Sequence, residues 1–244
     1  MINMLQSENL KYKRTFSKKL FFIAPMYILI QIIAFSKYVF LNSMNWWSIC
    51  FMPFTISIIC TLSTRRERKS GNYRTLKSKY IDLRKMWISK ILVIAYYTFL
   101  ASLMLILYFL VVKLIYSTSF IPLDKLFFGT FVIWLTTLIL IPICLFLSEA
   151  VGAFSSILVT CAGIVVAILM ATKVGWYLCP WSLNIRLMCP ILKLHPNGTQ
   201  LNPGNFLLDS SVIPIGIIIG ITGFAVLSIL TSLWFAKKED TTVV

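Results

Sequence analysis

Acidic residues are scarce in this chain. Eight Asp and Glu stand against 23 Lys and Arg, and charged residues of both signs fill only 13% of the 244 positions. A soluble domain uses about 25% charged residues for its polar skin, so the composition excludes a soluble enzyme and a disordered chain. Six cysteines in so long a chain also exclude a disulfide scaffold. The one histidine, His195, does not make a metal site, which needs several ligands at defined spacing. The sequence holds no G-x-x-x-x-G-K-[ST], no H-E-x-x-H, no G-x-S-x-G and no paired carboxylates within its apolar runs. No cofactor is therefore expected on this chain and no catalytic residue is assigned. There is no 20–50-residue repeat, and the first apolar run lacks the A-x-A-like site of a cleaved signal peptide.

What the chain has in abundance is apolar length. Hydrophobic residues make up 59% of it, with a mean hydropathy of +0.86. A hydrocarbon core of ~30 Å is crossed by about 20 helical residues, and six runs qualify: 20–40, 46–63, 91–112, 126–147, 151–171 and 212–235. The expectation is an all-α integral membrane protein, one permease-like domain over 1–244.

The positive charge then falls unevenly between the runs. Lys11, Lys13, Arg14, Lys18 and Lys19 precede the first; ten basic residues from Arg65 to Lys90 separate the second and third; Lys237 and Lys238 follow the last. These seventeen lie on one side. Lys37, Lys113, Lys125, Lys173, Arg186 and Lys193 lie on the other. Basic loops stay in the cytoplasm, which places both termini inside a multi-pass plasma-membrane protein. The charge marks topology and attraction to anionic lipids rather than a nucleic-acid footprint.

Three segments are not simple spans. Residues 5–19 place Leu5, Tyr12, Phe16 and Leu20 near helical period among lysines, the pattern of an interfacial amphipathic helix; a solvated basic tail is the alternative. Residues 65–90 contain a turn signal at Gly71-Asn72 and then Tyr73, Leu76, Tyr80, Leu83 and Trp87 at helical spacing. A short helix with that greasy face suits a partner protein or the lipid surface equally well. Residues 173–211 are too long for a plain connection, and two apolar stretches, 174–183 and 186–194, read as short outer helices packed against the spans. His195-Pro196-Asn197-Gly198 reads as a turn. Cys179 and Cys189 are candidates for a disulfide, which spacing alone does not decide. Glu149, beside the fourth run, is expected to pair with a basic residue at the inner surface. Gly216 and Gly220 form a G-x-x-x-G, a signal of close helix packing.

The layout, with the opening LQSENLKYKRTFSKKLFFIAP, the outer WYLCPWSLNIRLMCPILKLHPNGTQL and, more weakly, RRERKSGNYRTL, resembles the permease subunits of type-2 ABC exporters, in particular the lantibiotic and bacteriocin immunity permeases of bacteria. The resemblance implies a partner set: two cytoplasmic ABC ATPase subunits carrying ATP and Mg, a second permease or a second copy, and an antimicrobial peptide as cargo. It also implies that 5–19 and 65–90 meet the ATPase, with Glu67, Gly71, Tyr73, Leu76, Tyr80, Leu83 and Trp87 as coupling residues. A net positive outer face makes Coulombic capture of a cationic peptide unfavourable, so Trp46, Trp47, Trp176 and Trp181 are the cargo-facing candidates. An exporter of another amphipathic cargo, and a membrane sensor or scaffold that transports nothing, are the alternative readings.

Overall fold

The computed structural model describes residues 1–13, 15–28, 30, 39–70, 82–115 and 121–241. Among them the regular elements are helices: α1 (Ile2–Tyr12), α2 (Phe16–Ile23), α3 (Val39–Trp46), α4 (Met52–Lys69), α5 (Leu83–Ile115), α6 (Leu123–Thr137), α7 (Leu140–Ala150), α8 (Ser155–Met170), α9 (Ser182–Leu192) and α10 (Val212–Thr241). A single antiparallel bridge, Leu194 to Gln200, closes the turn at His195–Gly198.

Four stretches are long and apolar enough to cross a membrane: Phe40–Lys69, Leu83–Leu114, Leu123–Ala150 and Val212–Lys238. They coincide with the second, third, fourth and sixth apolar runs. Of the first run, 20–40, residue 29 and residues 31–38 lie outside the described residues; the part before them is α2 followed by a 3-10 turn, Ala24–Tyr27. The fifth run is a helix of 16 residues, α8, about 24 Å long at 1.5 Å per residue. Residues 151–154 form the turn that precedes it.

Prolines set the irregularities inside the spans. Pro53 offers no N–H to the turn before it, and α3 passes into α4 through a π-helical turn, Trp47–Phe51. Pro142 likewise cannot bond Leu138, and the α6–α7 span is interrupted at Leu138–Ile139. These are local adjustments by which a membrane helix satisfies freed backbone groups.

The N-terminal lead is two helices instead of one. The first ends at Tyr12 and the second begins at Phe16, and α1 and α2 both pack on α5. Tyr12 is buried as expected, but Phe16 is exposed and Phe21 takes the inward place. Its ring stacks on Tyr97 at 4.5 Å. An α1 docked on a span is a more fixed element than a helix floating in headgroups.

The segment 173–211 differs too. It contains one regular helix, α9, preceded by a 3-10 turn at Trp176–Leu178, in place of the two short helices expected at 174–183 and 186–194; the expected packing against the spans is present. Ten of the eleven residues of α9 are buried. It packs against α6, α8 and α10 and against the π-turn. The close approach of α9 to α10 requires Gly216, whose missing Cβ leaves room for Leu187. Gly220 lies against the backbone of Thr136 in α6, so the G-x-x-x-G face is used within the chain.

Candidate functional site

Ionisable side chains at membrane depth are costly and mark function by default. The spans hold two such groups at one end of the bundle, built on adjacent residues of α4. Glu67 faces α1 and α5. Lys11 Nζ donates to Glu67 Oε1 at 2.7 Å and to Glu8 Oε1 at 2.6 Å, and Lys90 Nζ of α5 stands 3.5 Å from the same Glu67 oxygen. Burial alone would depress the Lys11 ammonium; the Glu8 and Glu67 carboxylates outweigh it, and its pKa stands above the ordinary lysine value. Arg66 donates to the Lys11 carbonyl and lies 4.8 Å from the centre of the Tyr12 ring. Tyr97 donates to Asn9 Oδ1 at 2.7 Å, closing the seam between α1 and α5.

Arg68, one residue on, turns the other way. It donates to the carbonyls of Ser148 and Glu149, at 3.2 and 2.9 Å, capping the C-terminus of α7. Lys238 of α10 donates to Glu149 Oε1 at 3.0 Å and to the Glu149 carbonyl at 3.1 Å. The expected pairing of Glu149 with basic residues at the end of the spans is therefore present, with Lys238 as its nearer partner. Two consecutive residues of α4 thus join α1, α5, α7 and α10 at a single end.

The coupling residues fare unevenly. Gly71, Tyr73, Leu76 and Tyr80, and the Gly71-Asn72 turn, lie outside the described residues. Glu67 is buried and committed to Lys11 and Lys90. Leu83 and Trp87 are not part of a separate docking helix; Asp82 caps α5 by accepting from the backbone N–H of Arg84 and Lys85, at 3.1 and 3.2 Å, and both residues belong to that span. Those backbone donors, first that of Lys85, hold the Asp82 carboxyl below the usual carboxylate range. Trp87 is fully buried: its ring stacks on Phe235 at 4.4 Å and its Nε1 donates to Thr231 Oγ1 at 3.1 Å. It locks α5 to α10 and presents no surface to a partner.

The cargo-facing candidates need the same correction. Trp46 is 45% exposed on the flank of its span, whereas Trp47, Trp176 and Trp181 are buried. Trp47 sits in the π-turn beside Tyr27, and Trp181 fills the space left by Gly163. Cys179 and Cys189 are free thiols, so the disulfide is not formed; Cys189 Sγ instead donates to the Ile185 carbonyl one turn back, at 3.5 Å. Among the described residues there is no cluster of three His, Cys, Asp or Glu able to hold a metal.

Residues that periodicity does not single out hold α9 and the segment around it. Arg186 of α9, 4% exposed, donates to the carbonyls of Leu207 and Phe206 at 2.8 and 3.4 Å, and the Asp209 carboxylate adds a Coulombic partner. Asn184 donates to the Ser48 carbonyl of the π-turn, and Asn45 donates to the Pro196 carbonyl at 3.4 Å. Lys193 ends α9 in the left-handed conformation, at φ 57°. Comparison with family models, curated proteins and solved structures finds no match to the chain.

Proposed function

We propose that the chain is the permease subunit of a type-2 ABC exporter that expels a lantibiotic- or bacteriocin-class peptide from the bacterial plasma membrane. Its ATP hydrolysis comes from two separate ATPase subunits, and a second permease or a second copy completes the pore. In this reading the runs 20–40 and 151–171 are the first and fifth of six spans, the basic end of the bundle is cytoplasmic, and α9 is an outer re-entrant element.

The observation that supports it best is the Glu67–Arg68 junction. An ATPase dimer that closes beneath the membrane must move spans it does not itself contain, which requires a rigid link between distant sites. Lys11, Glu67 and Lys90 tie α1 to two spans, and Arg68 with Lys238 ties α4 to α7 and α10. Displacing α1 would therefore be felt across the bundle. The coupling surface in this reading is the solvent side of α1 together with 71–81, while Trp87 serves to transmit rather than to dock. Trp46 remains the aromatic offered to an amphipathic cargo.

The test is protection of cells co-expressing the chain and an ABC ATPase that co-purifies with it against a cationic lantibiotic. Protection is expected to vanish when the ATPase nucleotide-binding lysine is replaced, and to fall with W46A at equal membrane level. Protection that persists without ATP hydrolysis would establish a sensor or scaffold instead. Protection extending to unrelated drugs at equal strength would make the cargo class wrong.

A further inference from the structure

The inner end of α4 carries a basic groove beside the two ion-pair groups, and Arg66 belongs both to the groove and to the contact with α1. Leu62, Arg65, Arg66, Lys69 and Ser70 recur at i, i+3, i+4, i+7 and i+8, so they share one face of the helix. They bound a cavity of about 390 Å³, and none of the five is acidic. That size lies within the roughly 300–1,000 Å³ of small-molecule sites. The opposite face holds buried Ser63, Thr64 and Glu67, and Arg68 is turned to the end of α7.

Two of the cations are held in place by aromatic walls. The Arg65 guanidinium lies 5.1 Å from the centre of the Phe154 ring, in the turn between α7 and α8, and Arg66 lies 4.8 Å from that of Tyr12 in α1. A guanidinium over a ring presents its in-plane N–H groups to its surroundings, and planar forks of this kind suit phosphate oxygens. Arg66 spends one of these groups on the Lys11 carbonyl, so Arg65 is the fork offered to an anion. Cations near a helix C-terminus also offset its dipole, but that role needs neither rings nor a cavity.

We infer that this groove binds the phosphate headgroup of an anionic phospholipid. Arg65 and Lys69 meet the phosphate, Arg66 adds its charge from the α1 side, and Leu62, one to two turns deeper on the same face, meets the start of the acyl chains. Lipid is favoured over free phosphate or an acidic protein by the position. The groove lies on the flank of a membrane-crossing helix, Phe40–Lys69, and Phe154, on which Arg65 rests, and nearby Val151 are exposed apolar residues. Basic pockets between spans are the usual seats of anionic headgroups. The site stands on the chain being a membrane protein and does not require that it transport anything.

The experiment uses the full chain in nanodiscs of phosphatidylcholine with a minority of spin-labelled phosphatidylglycerol, reading the fraction of immobilised label. Wild type is expected to enrich phosphatidylglycerol over labelled phosphatidylcholine, and R65Q/K69Q to lose roughly tenfold of that preference. K18Q/K19Q, which removes equal charge from exposed residues of α2, is the control and keeps the enrichment. R65K/K69R keeps most of it while conserving charge. Equal loss in the control and groove variants would reduce the effect to diffuse attraction and overturn the site. Displacement of the label by inorganic phosphate would reassign the groove to a free anion, and displacement by polyglutamate but not phosphate would reassign it to an acidic protein. Circular dichroism of each variant separates loss of lipid from loss of fold.

Discussion

Lys11 Nζ donates to Glu67 Oε1 at 2.7 Å, fastening a helix at the start of the chain to the end of a span 56 residues later. The same carboxylate faces Lys90, which is 1% exposed, so Glu67 compensates a cation that has almost no water. Removing one partner of a buried pair typically costs about 3–5 kcal/mol, because the other charge stays behind. E67Q is expected at that level, with α1 released from α5. K11M is expected to cost less, since the Lys11 side chain is 25% exposed and Glu67 keeps Lys90. Thermal unfolding in detergent, with trypsin cleavage after Lys13, which both variants retain, as the readout for α1, tests them. Equal melting temperatures for wild type and E67Q would remove the junction from the mechanism.

The pH dependence of this junction has a definite sign. The folded-state pKa of Lys11 lies above its ordinary value near 10.5. A group raised on folding binds its proton more tightly in the native state, so its contribution is complete below the unfolded pKa and is lost as pH rises through the folded one. Docking of α1 is therefore expected to hold from neutral pH to about 10 and to weaken above about 10.5. In K11M this alkaline loss should be absent. A spin label at exposed Leu10, followed from pH 7 to 11.5, gives the measurement. An identical alkaline transition in wild type and K11M would assign it to another group.

Trp87 gives the third expectation. Its indole donates to Thr231 Oγ1 and stacks on Phe235, so α5 and α10 are joined by one side chain. T231V leaves a buried N–H unpaired and should cost about 1–3 kcal/mol; W87A opens a cavity and should cost about 3–5 kcal/mol. Both are stability effects. Binding of an ATPase, normalised to folded protein, should be unchanged in T231V. A selective loss of that binding at full stability would restore Trp87 to the surface.

How much of this was legible beforehand depends on what kind of information each feature carries. Apolar runs state their solvent directly, so four spans could be read from length alone. Glu149 was legible because a carboxylate between apolar runs and basic tails has few other partners. Leu83 and Trp87 were correctly placed on helical spacing, but periodicity states that a face is apolar and not what covers it. The cover for Trp87 is α10, 144 residues away. The Asp82 cap was the local signal that α5 begins there. Lys90 was counted among loop cations although Trp87-Ile88-Ser89 precedes it and Ile91-Leu92-Val93 follows; those flanks point to burial. That 186–194 packs against the spans was legible, since an apolar stretch too short to span needs cover; the start of α9 at Ser182 and its near-complete burial were not, because that cover comes from α6, α8 and α10.

Gly163 and Trp181 form a tight pair whose coupling is measurable. A Cβ on residue 163 would stand 2.6 Å from Cδ2 of the Trp181 ring. G163A must displace the indole, and overpacking of this kind typically costs about 1–3 kcal/mol. W181F removes the ring that collides, at the cost of a small void. The double variant G163A/W181F is expected to be more stable than the sum of the singles by about 0.5–3 kcal/mol, the usual range for residues in contact. Additive melting shifts would show that the two do not touch. Because α8 reaches α9 here, the same cycle tests whether α9 is seated inside the bundle.

The thiols provide the last expectation. All six cysteines are free, including Cys179 and Cys189, which share the outer segment. Alkylation of the denatured chain without reductant should therefore add six maleimides, and four would reveal one disulfide. In the folded protein the two outer thiols should separate. Cys179 is partly exposed, whereas burial pushes the Cys189 thiol up to about 11 and its Sγ is turned into α9. Thiolate is the reactive form, so both access and ionisation disfavour Cys189. An impermeant maleimide added to intact cells should label Cys179 and spare Cys189 if the segment faces outward. With C179S the label should disappear. Labelling of Cys179 only after permeabilisation would reverse the topology, and equal labelling of both thiols would mean that α9 is not buried.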